Sequence, residues 1–333
     1  MTKKKVALAL SSGGPRGFAY IGAIEELQSR GYEITAVSGA SAGSLVGGIF
    51  AAGGLEAFRD WLYALDPVKV VSLMDFRIGR NYLVKGKRVM DAIKERVPDV
   101  LIEDMPIPFT SVATDLYTGE EVIMDKGPLF EAIRASISLP SMFQPVSWHG
   151  HTLVDGGMVN TFPLNRVRRT EGDILVGFNV NRIDKESIGD YLNRRKAVSD
   201  SEDDLREQAK ALLKDTLATP MGKRMEKLKE GGELLKERVE IEMQSRELVA
   251  KGKKHKVPVD ADDNYYTVLR RSFGIMNHTI ARQSIDLYPP DILISMPFDA
   301  YSGVYGYSHA KEIAEEGRRL TAEALDRYES RES

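Results

Sequence analysis

The chain has 333 residues, of which 42% are hydrophobic and 29% are charged, and its formal net charge is −3. This length and composition allow one large domain or two smaller ones, with a sizeable apolar core. The lack of a basic excess argues against a nucleic-acid binder, and the lack of cysteine excludes disulfides, thiolate chemistry and Cys-ligated metal sites. No apolar run approaches the roughly 20 residues that span a bilayer, so we expect a cytoplasmic protein and leave peripheral membrane contact open.

The first fifty residues have the pattern of a βαβ unit. Residues 6–10 are a continuous apolar run, which is typical of a buried parallel strand. A glycine-rich loop at residues 11–17 and an amphipathic helix over about residues 18–30 come next, and residues 34–38 predict a second strand. Neighbouring parallel strands end at the same edge of a sheet, where α/β proteins place their sites. We therefore expect the glycine loop and the segment after the second strand to lie together.

The segment after the second strand has the pattern of a nucleophile elbow. Ser41 lies between Gly39 and Gly43 in the sequence GASAG, and small apolar residues predict a helix directly after it. In a G-x-S-x-G elbow, a tight strand-to-helix turn exposes the serine hydroxyl, and the positive end of the helix dipole favours an alkoxide there. The same five residues also suit a plain turn that lets a helix pack on a strand.

The glycine loop, with the sequence SGGPRG at residues 12–17, fits an oxyanion hole better than a nucleotide site. It lacks the first glycine of a G-x-G-x-x-G dinucleotide loop, and it lacks the Gly-Lys-Ser/Thr of a Walker A loop. The amides of Gly13 and Gly14 are instead candidates to donate to a developing negative oxygen beside Ser41. Arg16 is a candidate to orient the loop or to contact an acidic head group, and a surface salt bridge is the alternative.

A catalytic serine needs a base, and histidines are scarce in this chain, with five in all. His309 would suit the Ser–acid–His order of an α/β-hydrolase. However, the elbow here follows only the second strand, whereas an α/β-hydrolase has several strands before its elbow. His309 also precedes the final predicted helix, where a capping or surface role is expected. His149 and His151 flank Gly150 in a predicted hairpin turn, where we expect exposure to solvent. Asp155 follows the apolar strand that ends this hairpin and precedes two glycines, which suits either a base or a simple Asp-Gly turn.

Further elements of the same kind are predicted along the chain. Helices are predicted at residues 55–65, 85–96, 129–136, 265–285 and 310–328, and strands at residues 107–114, 173–180 and 291–296. Asp115 is expected to anchor the turn that follows its strand. Ser136 and Ser138 are expected to be capping or turn residues and not second nucleophiles, since neither lies between glycines.

Residues 182–262 differ from the rest of the chain in composition. They are highly charged with mixed signs, and an intermittent apolar stripe predicts helices. We interpret this segment as an insertion that shapes a substrate entrance. Solvated helices or linkers, and an amphipathic surface that touches lipid or a second subunit, are the alternatives.

Five stretches together resemble the patatin-like phospholipase family. They are residues 12–17 (SGGPRG), 39–43 (GASAG), 112–120 (VATDLYTGE), 135–146 (ASISLPSMFQPV) and 155–157 (DGG). The resemblance implies a Ser–Asp dyad without histidine, in which Ser41 is the nucleophile and Asp155 is its general base. It further implies that Gly13 and Gly14 supply the oxyanion amides and that Arg16 is the basic residue of their loop.

We accordingly predict a three-layer patatin-like α/β domain with a mainly parallel central sheet, helices on both faces and an inserted helical subdomain. The catalytic core is predicted over residues 1–181, the charged helical insertion over 182–262 and the C-terminal completion of the core over 263–333. Two residues depart from the family pattern: Ser12 replaces the usual first glycine of the loop, and Pro15 stands where a small or aliphatic residue is common.

The resemblance implies a serine lipid acyl hydrolase that needs no metal or cofactor. The substrate would be a phospholipid, a lysophospholipid or another fatty-acyl ester, cleaved through an acyl-enzyme at Ser41. Because a carboxylate base is weak at its free pKa, we expect Asp155 to be poorly solvated and within about 3 Å of Ser41. An acyltransferase or thioesterase with the same dyad, and a catalytically idle regulatory protein with the same fold, are the alternatives. The oligomeric state is not set by the sequence.

Overall fold

The protein is represented by a computed structural model, and the structure describes residues 4–65, 69–70, 73, 86–140, 142–183, 265–301 and 304–332. The chain divides into two units, Met1–Ile183 together with Leu269–Ser333, and Asp184–Val268. Nearly all of the second unit, and with it the predicted insertion at 182–262, lies outside the described residues. The predicted domain boundaries and the interpretation of the insertion therefore stay predictions.

The described elements match the predicted ones to within a few residues at each end. The strands are β1 (Lys5–Leu10), β2 (Glu33–Ala40), β3 (Phe109–Asp115), β4 (Glu121–Met124), β5 (Val146–Trp148), β6 (His151–Asp155), β7 (Ile174–Arg182) and β8 (Ile292–Pro297). The helices are α1 (Ala19–Ser29), α2 (Ala42–Ala51), α3 (Leu55–Tyr63), α4 (Lys87–Lys94), α5 (Leu129–Ser136), α6 (Tyr265–Leu287) and α7 (Ala310–Glu332). Short 3₁₀ helices lie at Gly14–Phe18, Ile102–Asp104, Gly156–Met158 and Val304–Ser308. The sequence did not predict β4.

The eight described strands form one mixed sheet. Their order is β5-β6-β3-β2-β1-β7-β8, and β4 also pairs with β3. The pairs from β3 through β2, β1 and β7 to β8 are parallel, whereas β4 and β6 are antiparallel to β3, and β5 is antiparallel to β6. The chain is therefore an α/β protein with a mainly parallel central sheet, as predicted.

Helices pack on both faces of this sheet. Successive side chains of a strand point to opposite faces. In β1, Val6, Leu8 and Leu10 belong to a large apolar cluster that includes residues of α1, α2, α5 and α7. Ala7 and Ala9 belong instead to a second cluster, which includes Ala281 of α6. The three predicted layers are therefore present. Among the described helices, none has both the length and the hydropathy that a bilayer-spanning segment needs.

The strand register brings the elbow and the end of β6 to the same level of the sheet. β2 and β6 pair with successive parts of the same edge of β3, while β4 pairs with the opposite edge. Ala40, the last residue of β2, pairs with Val112 of β3, and Asp155, the last residue of β6, pairs with the next residue, Ala113. Ser41 follows Ala40 directly. The two predicted dyad residues therefore meet at one edge of β3, where the end of β2 is followed by the end of β6, although they come from different parts of the chain.

Candidate active site

Ser41 occupies a strained turn between β2 and α2. Its backbone has φ 52° and ψ −116°, a region that residues with a side chain rarely occupy. The turn is also crowded, since a Cβ built on Gly39 would lie 2.3 Å from the backbone of Gly43. A Cβ on Gly43 would lie 2.3 Å from the carbonyl oxygen of Leu10. Close backbone approach therefore requires both glycines, and the elbow predicted from GASAG is present as local structure.

The hydroxyl of Ser41 contacts the carboxylate of Asp155. Ser41 Oγ donates to Asp155 Oδ2 at 2.6 Å, which agrees with the expected separation of about 3 Å. Asp155 is buried, with 4% of its surface exposed, and its Oδ1 accepts the backbone N–H of Gly157 at 2.8 Å. Each carboxylate oxygen thus has one described donor, and together these donors fix the orientation of the group.

Burial raises the pKa of the Asp155 carboxyl from its usual 3.8 to about 6. Loss of hydration disfavours the ionised form, and the hydrogen bonds from Ser41 and from the Gly157 amide oppose this effect only in part. A carboxylate with this pKa accepts a proton more readily than a solvated one and is still largely ionised at neutral pH. The electrostatics of the site therefore suit a general base.

The glycine loop lies beside the start of α2. Gly14 has φ 56° and opens the 3₁₀ helix Gly14–Phe18. A Cβ built on Gly17 would lie 2.4 Å from the Cβ of Ala42, the residue that follows Ser41. Within the described ranges, no acceptor is paired with the backbone N–H of Gly13 or of Gly14. These two amides are therefore available as donors near the elbow.

Arg16, a residue of this loop, has a buried side chain. Only 6% of its surface is exposed, and its Nε donates to the carbonyl oxygen of Val180 at 3.0 Å. The guanidinium also lies over the ring of Phe298, 4.6 Å from the ring centroid. Arg16 is therefore a buried residue and not a surface one. Its hydrogen bond to Val180 joins the glycine loop to the strand β7, which suits a residue that orients the loop, one of the two functional roles considered for it.

The histidines considered as bases have other surroundings. His309 directly precedes α7, and its Nδ1 lies 3.3 Å from Ser308 Oγ. His149 and His151 are exposed at the turn between β5 and β6, as expected. Among the described residues, the hydroxyl of Ser41 is hydrogen-bonded to Asp155 and to no histidine. The described part of the chain also contains no group of three or more His, Asp or Glu side chains arranged to hold a metal ion.

Asp115 anchors the turn that leaves β3, as predicted. Its Oδ1 accepts hydrogen bonds from the backbone N–H groups of Tyr117 and Thr118 at 2.8 and 3.1 Å. Its carbonyl oxygen accepts the backbone N–H of Gly119. Its Oδ2 lies 2.5 Å from Nδ1 of His151. The hydrogen bond with His151, followed by those from the two amides, holds the pKa of Asp115 below its usual value. Asp115 therefore has a structural role at this turn, apart from the Ser41–Asp155 pair.

Three groups hold the backbone of the Ser41–Asp155 pair, and the sequence did not predict them. Ser136 Oγ accepts the backbone N–H of Ser41 at 2.8 Å. The carbonyl oxygen of Ser138 accepts the backbone N–H of Asp155 at 3.0 Å, and Thr114 Oγ1 donates to the carbonyl oxygen of Asp155 at 2.9 Å. No spacing rule indicates which buried serine will meet the elbow. The only signal was that both serines lie in a stretch that resembles the family.

Similarity to known proteins points to one family. A family model described as patatin-like phospholipase matches residues 8–167. An uncharacterized NTE family protein of Mycobacterium tuberculosis is 31% identical over 339 aligned positions, which are 98% of this chain and 92% of that protein. Patatin-like phospholipase domain-containing protein 6 of Mus musculus is 26% identical over 198 residues, which are 57% of this chain and 14% of that protein. The crystal structure of VipD from Legionella pneumophila matches 97% of this chain and 67% of that chain with a TM-score of 0.39 and 14% identity, a likeness too distant to carry an argument.

Proposed function

Because the chain belongs to the patatin-like phospholipase family, we propose that it is a serine hydrolase that cleaves fatty-acyl esters of phospholipids or lysophospholipids. One observation carries this proposal, the 2.6 Å hydrogen bond from Ser41 Oγ to Asp155 Oδ2. It joins a hydroxyl on a strained elbow to a buried carboxylate of raised pKa, which is the arrangement of an activated nucleophile and its base. The cytoplasmic location and any contact with a membrane surface stay predictions.

In the first half of the proposed reaction, Ser41 Oγ attacks the ester carbonyl carbon while Asp155 accepts the hydroxyl proton. The carbonyl π electrons move to the oxygen, and the amides of Gly13 and Gly14 donate to this oxyanion. Each such donor typically stabilises the transition state by about 3 kcal/mol. When the tetrahedral intermediate collapses, the bond to the leaving alcohol breaks, and the alcohol takes the proton from Asp155. An acyl-enzyme on Ser41 remains.

In the second half, water replaces the alcohol. Asp155 accepts a proton from the water molecule as its oxygen attacks the acyl carbon, and the same amides stabilise the second oxyanion. Collapse releases the fatty acid, and Ser41 Oγ recovers its proton from Asp155. The net reaction consumes one ester and one water molecule and yields one acid and one alcohol, and the dyad returns to its initial protonation state.

Two further features support this assignment. α2 begins at Ala42, so its N-terminus and the positive end of its dipole lie next to Ser41 and favour negative charge there. Arg16 ties the glycine loop to β7 through the carbonyl oxygen of Val180. We propose that this contact holds the amides of the loop in the orientation that an oxyanion requires, so that Arg16 acts through the loop and not on the head group.

Release of p-nitrophenol from medium-chain acyl esters tests the proposed function. We would compare the wild type with Ser41→Ala, Asp155→Asn and His309→Ala, each with its thermal unfolding as a control for folding. The first two variants should lose at least about 1,000-fold in kcat, and His309→Ala should retain activity. A folded but inactive His309→Ala would refute the dyad and indicate a triad.

Product analysis separates the proposed hydrolase from its alternatives. With phospholipid vesicles or lysophospholipid micelles, a hydrolase releases free fatty acid. An acyltransferase would instead place the acyl group on an added alcohol such as glycerol, and a thioesterase would prefer acyl thioesters over oxygen esters. If the wild type cleaves no ester or thioester and a fluorophosphonate does not label it, the proposal is wrong and a regulatory role takes its place.

A further inference from the structure

We propose that residues 136 and 138, at the end of α5, form a positioning segment that sets the distance between the nucleophile and the base; this rests on the proposed function. Ser136 is the last residue of α5, and Ser138 follows two residues later. One side-chain oxygen and one backbone oxygen of this segment bind the backbone N–H groups of Ser41 and Asp155, respectively. Neither serine needs to touch the substrate for this role.

Ser136, a residue of another element, stabilises the strained turn at Ser41 by a hydrogen bond. Ser136 is fully buried, and its Oγ accepts the N–H of Ser41 at 2.8 Å. Ser41 precedes the first residue of α2, where backbone N–H groups have no partner inside the helix. An unusual backbone conformation persists only when its surroundings determine it. The hydrogen bond from another element therefore helps to keep Ser41 at φ 52°, with its hydroxyl toward Asp155.

Ser138 likewise fixes the backbone of Asp155 by a hydrogen bond. Its carbonyl oxygen accepts the N–H of Asp155 at 3.0 Å, while Thr114 Oγ1 donates to the carbonyl oxygen of Asp155 at 2.9 Å. The side chain of Ser138 is engaged elsewhere, because its Oγ donates to the carbonyl oxygen of Arg134 at 2.7 Å and accepts from that guanidinium at 2.6 Å. Ser138 thus acts on Asp155 through its backbone alone.

The common attachment matters because Ser41 and Asp155 are 114 residues apart in sequence. Ser41 directly follows β2 and Asp155 ends β6, and these two strands do not pair with each other. A segment that binds both backbones couples their positions directly, and the rate of a proton transfer with nucleophilic attack is sensitive to shifts of about 1 Å. Ser136 Oγ contacts the amide of Ser41 and is fully buried, so its role is to position the nucleophile.

Ser136→Ala, with Ser111→Ala as the matched control, tests this inference. Both changes remove one fully buried hydroxyl. Ser136 Oγ contacts Ser41, whereas Ser111 Oγ contacts Ser44 and the carbonyl oxygen of Ala132 in α5, so only the first change removes a contact with the Ser41–Asp155 pair. We would measure kcat and KM for a p-nitrophenyl ester and the rate of labelling by a fluorophosphonate. Ser136→Ala should lower kcat and the labelling rate about 10- to 100-fold, and KM should stay within about twofold. Ser111→Ala should stay close to the wild type in all three.

Several outcomes would overturn the inference. Labelling of Ser136→Ala at the wild-type rate would show that the contact does not position Ser41. Equal losses in Ser136→Ala and Ser111→Ala would show general damage to the packing around α5. If Ser136→Ala does not fold, Ser136→Cys keeps a side chain of similar size that is a weaker acceptor, and a wild-type rate in that variant overturns the inference too. A wild type that is not labelled would refute the proposed function itself, and the inference with it.

Discussion

The strained backbone of Ser41 predicts that glycine is a more stable replacement than alanine at this position. Ser41→Gly and Ser41→Ala both remove the hydroxyl and its hydrogen bond to Asp155. The difference between the two variants therefore isolates the backbone. At φ 52° and ψ −116°, a residue that carries a Cβ is destabilised by on the order of 1–3 kcal/mol, and glycine is not.

The magnitude follows from two opposing effects. Glycine has more backbone freedom to lose on folding, which costs about 0.5–1 kcal/mol relative to alanine. At the middle of both ranges the relief of strain outweighs this cost, so Ser41→Gly should exceed Ser41→Ala in free energy of unfolding by about 1 kcal/mol. Urea unfolding followed by circular dichroism gives this quantity by linear extrapolation.

Ser44, in the helix that follows Ser41, provides the control. It lies in the first turn of α2, it is fully buried, and its hydroxyl is bonded to that of Ser111. Ser44→Gly and Ser44→Ala both lose that bond, but within a helix glycine is less stable than alanine by about 1 kcal/mol. Glycine should therefore be the more stable replacement at position 41, and alanine the more stable one at position 44. A Ser41→Gly variant that is no more stable than Ser41→Ala would refute the reasoning.

Three other outcomes concern Asp155 and Arg16. kcat/KM should fall about tenfold per unit as the pH drops below about 6, because a protonated carboxyl cannot accept a proton; a flat profile down to pH 5 would contradict this. The pKa of Asp155 is higher in the folded than in the unfolded protein, so its ionisation between pH 3.8 and about 6 lowers stability. Asp155→Asn should therefore raise the free energy of unfolding at pH 8 by up to about 3 kcal/mol, and this gain should disappear below pH 3.8. An equal gain at pH 8 and below pH 3.8 would contradict the raised pKa of Asp155. Arg16→Met should lower the free energy of unfolding by about 1.5–3 kcal/mol and also kcat, as urea unfolding and the ester assay would show; unchanged stability would contradict the buried contacts.

The parts of the site that depend on local sterics could be predicted from the sequence. The elbow is one example, because the need for small residues at Gly39 and Gly43 comes from the turn itself. The buried strand at residues 6–10 is another, since its apolar run matches a strand covered on both faces. Asp155 was indicated less directly, as its segment also reads as a simple turn, and the resemblance to the family decided its interpretation.

The parts that depend on pairing and packing could not be predicted. The approach of Asp155 to Ser41 depends on the antiparallel register of β6 on β3, which no pattern within either strand encodes. Ser136 and Ser41 are 95 residues apart, and a buried serine has many potential partners. Arg16 illustrates the same limit, because its burial depends on Val180 and Phe298, two residues that are distant in sequence.

Trapping of the acyl-enzyme tests the proposed chemistry most directly. The protein would be mixed with a p-nitrophenyl ester of a medium-chain fatty acid, quenched in acid after the first turnover, and digested for mass spectrometry. We expect about one equivalent of p-nitrophenol in the initial burst, with the acyl mass on the peptide that contains Ser41 and none in Ser41→Ala. An acyl group on another residue, or full turnover by Ser41→Ala, would contradict the assignment of Ser41 as the nucleophile.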